Sequence, residues 1–319
     1  MTAPSPLRAK PNSLLIASVI GGAAVLTVGA LFVFNAGSAS DNQRLPGKDG
    51  VTSNASVADV SPCTQPPTLT AESVGFGSDG LRITTAISSA CSEGDLLINS
   101  GFRLTGVDSA GRDVASGIFD LATQPIAVGP GGVSVTFTFP SNSYWRPPNA
   151  IDGDVRLTGR NEGADRAVLG SARSASAVTA VAPGAPESGN LEAAAQSALV
   201  DIASADRKEV DASLLNRWQP QLSSKRTGLV YDGITWSTPD IVREHLDLRQ
   251  RFSDTRLVWS GDWPVYSDPT WWVTLAGVPF VSGIEANSWC SSNGFDADHC
   301  FAKVLSHSQG AAGTTLSRK

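Results

Sequence analysis

Three histidines, a few neighbouring carboxylates and four cysteines are the side chains of this 319-residue chain whose types could carry chemistry. His245 falls at helical spacing with Ile241 and Leu248, which marks it as a histidine at the edge of a core. His299 adjoins Cys300 in a turn-rich stretch, and His307 lies near the C-terminal end. Neither a G-x-S-x-G elbow nor an H-E-x-x-H helix is present, and Gly47–Gly50 lacks the upstream glycine of a phosphate-binding loop. The carboxylate pairs are Asp296 with Asp298, and Asp262 with Asp268. Glycoside hydrolysis needs two carboxyls about 5–10 Å apart across a cleft, and the spacing of these residues does not set that distance; Asp262 is the best placed. The chain therefore reads as non-enzymatic, with no catalytic residue, cofactor or metal assigned, and a hydrolase stands only as a third reading.

Cys63, Cys91, Cys290 and Cys300 form an even set, which outside the cytoplasm reads as disulfides. Of three connectivities, Cys63–Cys91 and Cys290–Cys300 are expected, because a long stretch separates the two pairs. The rival is a metal site from Cys290, His299, Cys300 and His307, whose spacing lacks the C-x-x-C knuckle of structural zinc.

Ser13–Phe34 is free of charge and, as a helix, would be about 33 Å long, enough for a bilayer core. Arg8 and Lys10 precede it and no acid occurs before Asp41, so the positive-inside rule puts the first residues in the cytoplasm. The expectation is a tail at 1–12, a transmembrane helix at 13–35, and a single-pass protein of the cell membrane with its C-terminal part outside. Cleavage near Gly37–Ala39 is the alternative. The net charge is −6, and −8 without Arg8 and Lys10; that balance argues against nucleic-acid binding.

A polar stretch at 36–61 reads as a tether. Leu81–Ile87, Phe102–Val107 and Val133–Phe139 alternate apolar and polar residues between turn clusters, the pattern of an antiparallel, Ig-like β-sandwich over 62–159. Residues 160–189, rich in Ala, Ser, Gly and Pro, read as a linker, and 310–319 as a disordered tail. Asn190 is a plausible helix cap before Leu191, Ala194, Ala198 and Ile202. From there the order strand, helix (from Thr238), strand, strand (Trp271–Ala276), helix (capped by Ser282 and Glu285), strand gives β-α-β-β-α-β, an α+β ferredoxin-like pattern over 190–309.

Seven of the eight tryptophans lie in this second region. Strand alternation assigns Leu257, Trp259, Trp271, Val273 and Leu275 to the helix-covered face of the sheet. Gln219, Gln221, Ser223, Trp272 and Thr274 then project from the open face, with Trp263 in the adjoining loop extending the patch. Amides, hydroxyls and an exposed indole suit a saccharide, which offers hydroxyls and a weakly apolar ring face.

These residues carry a resemblance. Pro220–Ser224 (PQLSS), Trp272–Phe280 (WVTLAGVPF) and Glu285–Ala286 are similar to the motifs of SPOR-like peptidoglycan-binding domains, although Ser223 stands where those domains have glycine. Arg217–Lys225 (RWQPQLSSK), Trp259–Trp263 (WSGDW), Trp289–Cys290 and Asp298–Lys303 (DHCFAK) also resemble a group of actinobacterial membrane-anchored envelope proteins. The resemblance implies a non-enzymatic protein that binds or scaffolds at peptidoglycan or another envelope polymer. Binding of an envelope protein is the alternative, and a cell-wall hydrolase the third.

Overall fold

The computed structural model describes residues 60–165, 173–231 and 233–318. The expected cytoplasmic tail, membrane helix and most of the tether lie outside these residues. No described helix is long and apolar enough to cross a membrane.

The fold is mostly β. Its N-terminal half contains β1 (Thr68–Gly77), β2 (Gly80–Ser88), β3 (Asp95–Leu97), β4 (Phe102–Val107) and β5 (Asp113–Phe119). They are followed by β6 (Ile126–Val128), β7 (Val133–Phe139), β8 (Arg156–Asn161), β9 (Ala177–Thr179) and β10 (Ala182–Pro183). Eight of these form one sheet in the order β10-β5-β4-β8-β1-β2-β7-β9, and β3 pairs with β6 separately. The two edge strands are nearly consecutive in the chain. β9 runs parallel to β7 while β10 pairs with β5. Between them, Ala180 N–H bonds Thr138 and Val181 N–H bonds Ile118. One short segment thus bridges the two edges of a curled sheet, whose interior is filled by Leu81, Ile83, Leu104, Phe119, Phe137 and Phe139, all fully buried.

This overturns the Ig-like sandwich. Alternation along a strand reports that one face is buried, but a curled sheet packs that face against itself and leaves the same pattern as two stacked sheets. The stretch expected to be a free linker supplies the bridging strands, because its small residues fit where the walls converge: a Cβ on Gly117 would lie 2.7 Å from that of Ala180.

The second half contains α1 (Leu191–Glu209), β11 (Trp218–Lys225), β12 (Val230–Tyr231), β13 (Ile234–Thr235), α2 (Thr238–Arg251) and β14 (Arg256–Trp259). After these come β15 (Trp272–Leu275), α3 (Gly283–Ser292), β16 (Phe301–Val304) and β17 (Thr315–Leu316). Each helix begins where a side chain satisfies free N–H groups: Asn190 accepts from Ala193, and Ser237–Asp240 and Ser282–Glu285 form capping boxes. The sheet order is β14-β15-β11-β16-β17, and the hairpin β12–β13 stands apart from it. The fifth strand, β17, lies in the segment expected to be a disordered tail, and Arg318 donates to the carbonyls of Phe295 and Asp296.

The expected ferredoxin-like module with one open sheet face is corrected in the same region. Val258, Val273 and Leu275 on that face are sealed by Val210, Leu214, Trp263, Val265 and Leu305. The sealing residues come from a π-helical turn after α1, from the loop between β14 and β15 and, for Leu305, from the end of β16. The two halves share one apolar core, running from the curled sheet through Tyr144 and Trp145 to Ala198 and Leu199 of α1 and Leu246 of α2. Arg146, fully buried, donates to Asp201 at 2.6 Å and Ser197 at 2.8 Å of α1.

Candidate functional site

Gln219, Gln221, Ser223, Trp272, Thr274 and Trp263 are all buried, so none of them forms an exposed sheet face. The strand pairing explains the error for β15. Leu257 lies opposite Thr274 and Trp259 opposite Trp272, and directly paired residues share a face. Trp272 and Thr274 therefore turn toward the helices: the Trp272 and Trp259 rings pack with centroids 4.6 Å apart, and Thr274 meets His245 at 3.1 Å. Trp271 is half-buried under the Arg226 guanidinium, 4.8 Å from its ring.

On β11 a bulge between Gln221 and Ser223 breaks the alternation. Before it, Gln221 accepts from the Tyr266 hydroxyl on the loop side at 3.2 Å. After it, the Ser223 hydroxyl donates to Glu244 of α2. Gln219 is fully buried with no hydrogen-bond partner for either amide atom among the described residues. Opposite it, the Lys303 ammonium donates to the Val265 carbonyl at 2.7 Å and to the Thr314 and Thr315 hydroxyls. Burial pushes the Lys303 amine down to about 8. Trp263 packs under two cation-capable groups, the Arg207 guanidinium at 4.5 Å and the His307 ring at 4.6 Å.

The histidines sit apart. His245 is fully buried, and desolvation, together with nearby Arg249 and Arg256, holds it well below its ordinary pKa. His299 bonds Asp296 at 2.6 Å and His307 bonds Asp211 at 3.0 Å. Asp262 pairs with Arg207 and Asp268 with Arg226. The Cys290–Cys300 bond consumes both thiols of the metal alternative, and among the described residues no group of three or more His, Cys, Asp or Glu could hold a metal ion. Cys63–Cys91 is the second disulfide.

Three concavities border the helices or the second sheet. One, about 580 Å³, lies between the curled sheet and the N-terminal ends of α1 and α2. A second, about 250 Å³, opens at the end of β11 and brings Gln221, Ser223 and Trp271 together. The third, about 550 Å³, runs between α1 and the edge of the five-stranded sheet. Gln196, Val200, Ser204 and Arg207 line it from one stripe of α1; Trp259 and Trp272 line it from the sheet and Asp262 from the turn after β14. Val200 is 50% exposed, and Trp259 is half-buried against Trp272.

This groove holds an aromatic surface framed by an amide, a hydroxyl and an ion pair. Sequence reasoning placed Trp259 on the helix-facing side but found no groove there. The available signal was Val200, an apolar residue on the polar stripe of α1. No family model, curated protein or solved structure matches the chain.

Proposed function

We propose that the chain is an extracytoplasmic, non-enzymatic protein that binds a saccharide polymer of the cell envelope in the groove between α1 and the β14–β15 edge. The observation that carries this reading is the Trp259–Trp272 pair beside exposed Val200, rimmed by Gln196, Ser204 and Asp262. A sugar ring lays its C–H face on an indole while its hydroxyls reach amide, hydroxyl and carboxylate groups, and an open groove admits a chain rather than a single residue. Two disulfides support an oxidising compartment. The uncharged Ser13–Phe34 run behind Arg8 and Lys10 supports export. The resemblance to SPOR-like modules supports a glycan ligand, but the contact surface proposed here is not the sheet face, which is covered.

The test is cosedimentation of the full-length protein with cell wall stripped of protein. Binding is expected, and Trp259→Ala is expected to weaken it about tenfold while the protein stays folded. Failure of the parent protein to sediment refutes the reading. An envelope protein as partner is the second reading, favoured by exposed Val281, Ile284 and Leu316 beside the sheet edge at β17; it requires that sedimentation depend on other envelope proteins.

A further inference from the structure

Given the reading of the groove between α1 and the β14–β15 edge as a saccharide site, on which this rests, we propose that the groove prefers sugars carrying a free ammonium and that Asp262 sets this preference. Two charged side chains line it, Arg207 and Asp262. The Arg207 guanidinium is committed within the protein: Nε donates to Asp211 at 3.1 Å, Nη1 reaches Asp262 at 3.4 Å, and its plane lies 4.5 Å over the Trp263 ring. His307, stacked on Trp263, bonds the other Asp211 oxygen at 3.0 Å. One guanidinium is therefore shared by two carboxylates.

Asp262 is the less engaged partner. Its contact with Arg207 is long, where charge-assisted bonds run about 2.7–2.9 Å, and uses one oxygen; the other has no hydrogen-bond partner among the described residues. Its side chain is 53% exposed, against 37% for Arg207. An anionic polymer finds no uncommitted cation in this groove, whereas an ammonium finds a carboxylate oxygen without a partner.

Trp259 supplies the second half of such a site. The protein's own cations lie over Trp236, Trp263 and Trp271. Among the described residues none lies over Trp259, which is half-buried and lines the groove. The turn Ser260–Asp262 brings ring and carboxylate together. A Cβ at Gly261 would lie 2.5 Å from Trp259 Nε1, so glycine there lets the indole lie against the turn that carries Asp262. An ammonium held between the indole and the carboxylate gains a cation–π contact and an ion pair that a neutral sugar does not.

Titration calorimetry of the full-length protein at pH 7 tests this with one β-1,4-linked glucosamine tetrasaccharide in three forms: N-acetylated, free amine and N-succinylated. The free amine is expected to bind about fivefold more tightly than the acetylated form, and the succinylated form most weakly. In Asp262→Asn the preference for the amine over the acetylated form is expected to fall to about twofold or less, because the ion pair is lost while the ring remains. Nα-acetyl-lysine amide, an ammonium without a sugar, is expected to bind at least about tenfold more weakly than the amine tetrasaccharide, since it covers less of the groove. Equal binding of the amine and acetylated forms, tightest binding of the succinylated form, or an Asp262→Asn variant that keeps the full preference overturns the proposal. Equal or tighter binding of the lysine derivative overturns the assignment to a sugar. Binding of the tetrasaccharides without charge preference leaves the saccharide reading standing; no binding of any form overturns the preference, and sedimentation with protein-free cell wall then decides the saccharide reading by itself.

Discussion

Arg249 of α2 donates to both carboxylate oxygens of Asp206 of α1, at 3.1 and 3.0 Å, and both side chains are buried. Asp206 also accepts from the Leu257 N–H of the edge strand and from Asn149 of the curled half. One carboxylate therefore ties together two helices, the second sheet and the first half. Arg249→Met is expected to destabilise the protein by about 3–5 kcal/mol, because it leaves a buried charge without its counter-ion. Asp206→Asn is expected to cost less than Arg249→Met, since the amide oxygen still accepts from Leu257. Urea unfolding midpoints of the two variants measure the difference.

Trp272→Ala is expected to cost about 3–5 kcal/mol, as for a buried aromatic residue. Trp271→Ala, at a half-buried ring, is expected to cost distinctly less. The alternation reading of the sequence predicts the reverse order. Chemical denaturation of both variants decides between the two registers.

That reversal shows what was legible. Caps are local chemistry, so the helix starts at Asn190, Thr238 and Ser282 could be read from a few adjacent residues. The disulfide pairing was legible from separation along the chain. Which face of β15 is buried depends on its register against β14, a relationship between residues 13 to 19 apart in sequence that alternation within one strand does not contain. The bulge between Gln221 and Ser223 shifts Ser223 by one position, and the signal for it was Pro220 just before, a residue that strands hold at edges and bulges. Sealing of the second sheet face by Trp263 and Val265 was equally hidden, since an aromatic loop reads the same whether it lies on the protein or projects from it.

His245 sets the acid limb of stability. Its folded pKa is far below the ordinary 6.5, so the folded state keeps it neutral while the unfolded chain takes up a proton as pH falls through 6.5. Stability is therefore expected to be flat above pH 6.5 from this group and to fall below it, by up to about 1.4 kcal/mol per pH unit. The groups facing the ring include Arg249, Arg256 and the Thr274 hydroxyl, and both cations oppose its protonation. His245→Gln is expected to flatten the profile between about pH 6.5 and 4.5. An unchanged slope in denaturation at stepped pH contradicts the assignment.

Lys303 acts at the opposite end. Its folded pKa, about 8, lies below the ordinary 10.5. Between these values the unfolded chain holds the proton and the folded state does not, so stability rises with pH from about 8 toward 10.5. Burial raises the Tyr266 pKa above its ordinary 10.0, which works in the opposite direction above that value. The observable window is therefore about pH 8–10. Lys303→Met is expected to remove the rise, as followed by urea midpoints across that range.

Reduction of the disulfides is expected to lower stability by about 3 kcal/mol for the 10-residue Cys290–Cys300 loop and about 3.5 kcal/mol for the 28-residue Cys63–Cys91 loop. Thermal unfolding of the single Cys300→Ser and Cys91→Ser variants separates the two contributions. Peptide mapping without reductant is expected to recover both linked pairs.

The bridge between Cys63 and Cys91 encloses all of β1 and β2 in a covalent loop. Tension applied to the chain ahead of Cys63 therefore passes through sulfur to Cys91 and bypasses this hairpin, which cannot be peeled from the sheet by its own N-terminal end. The first non-covalent elements to bear such a load are the Cys63 N–H bond to Asp95 and the short β3–β6 ladder behind it. The disulfide fixes the direction in which mechanical strain enters the fold, and the β1–β2 and β2–β7 ladders, the two longest of the curled half, lie beyond its reach until that ladder has opened.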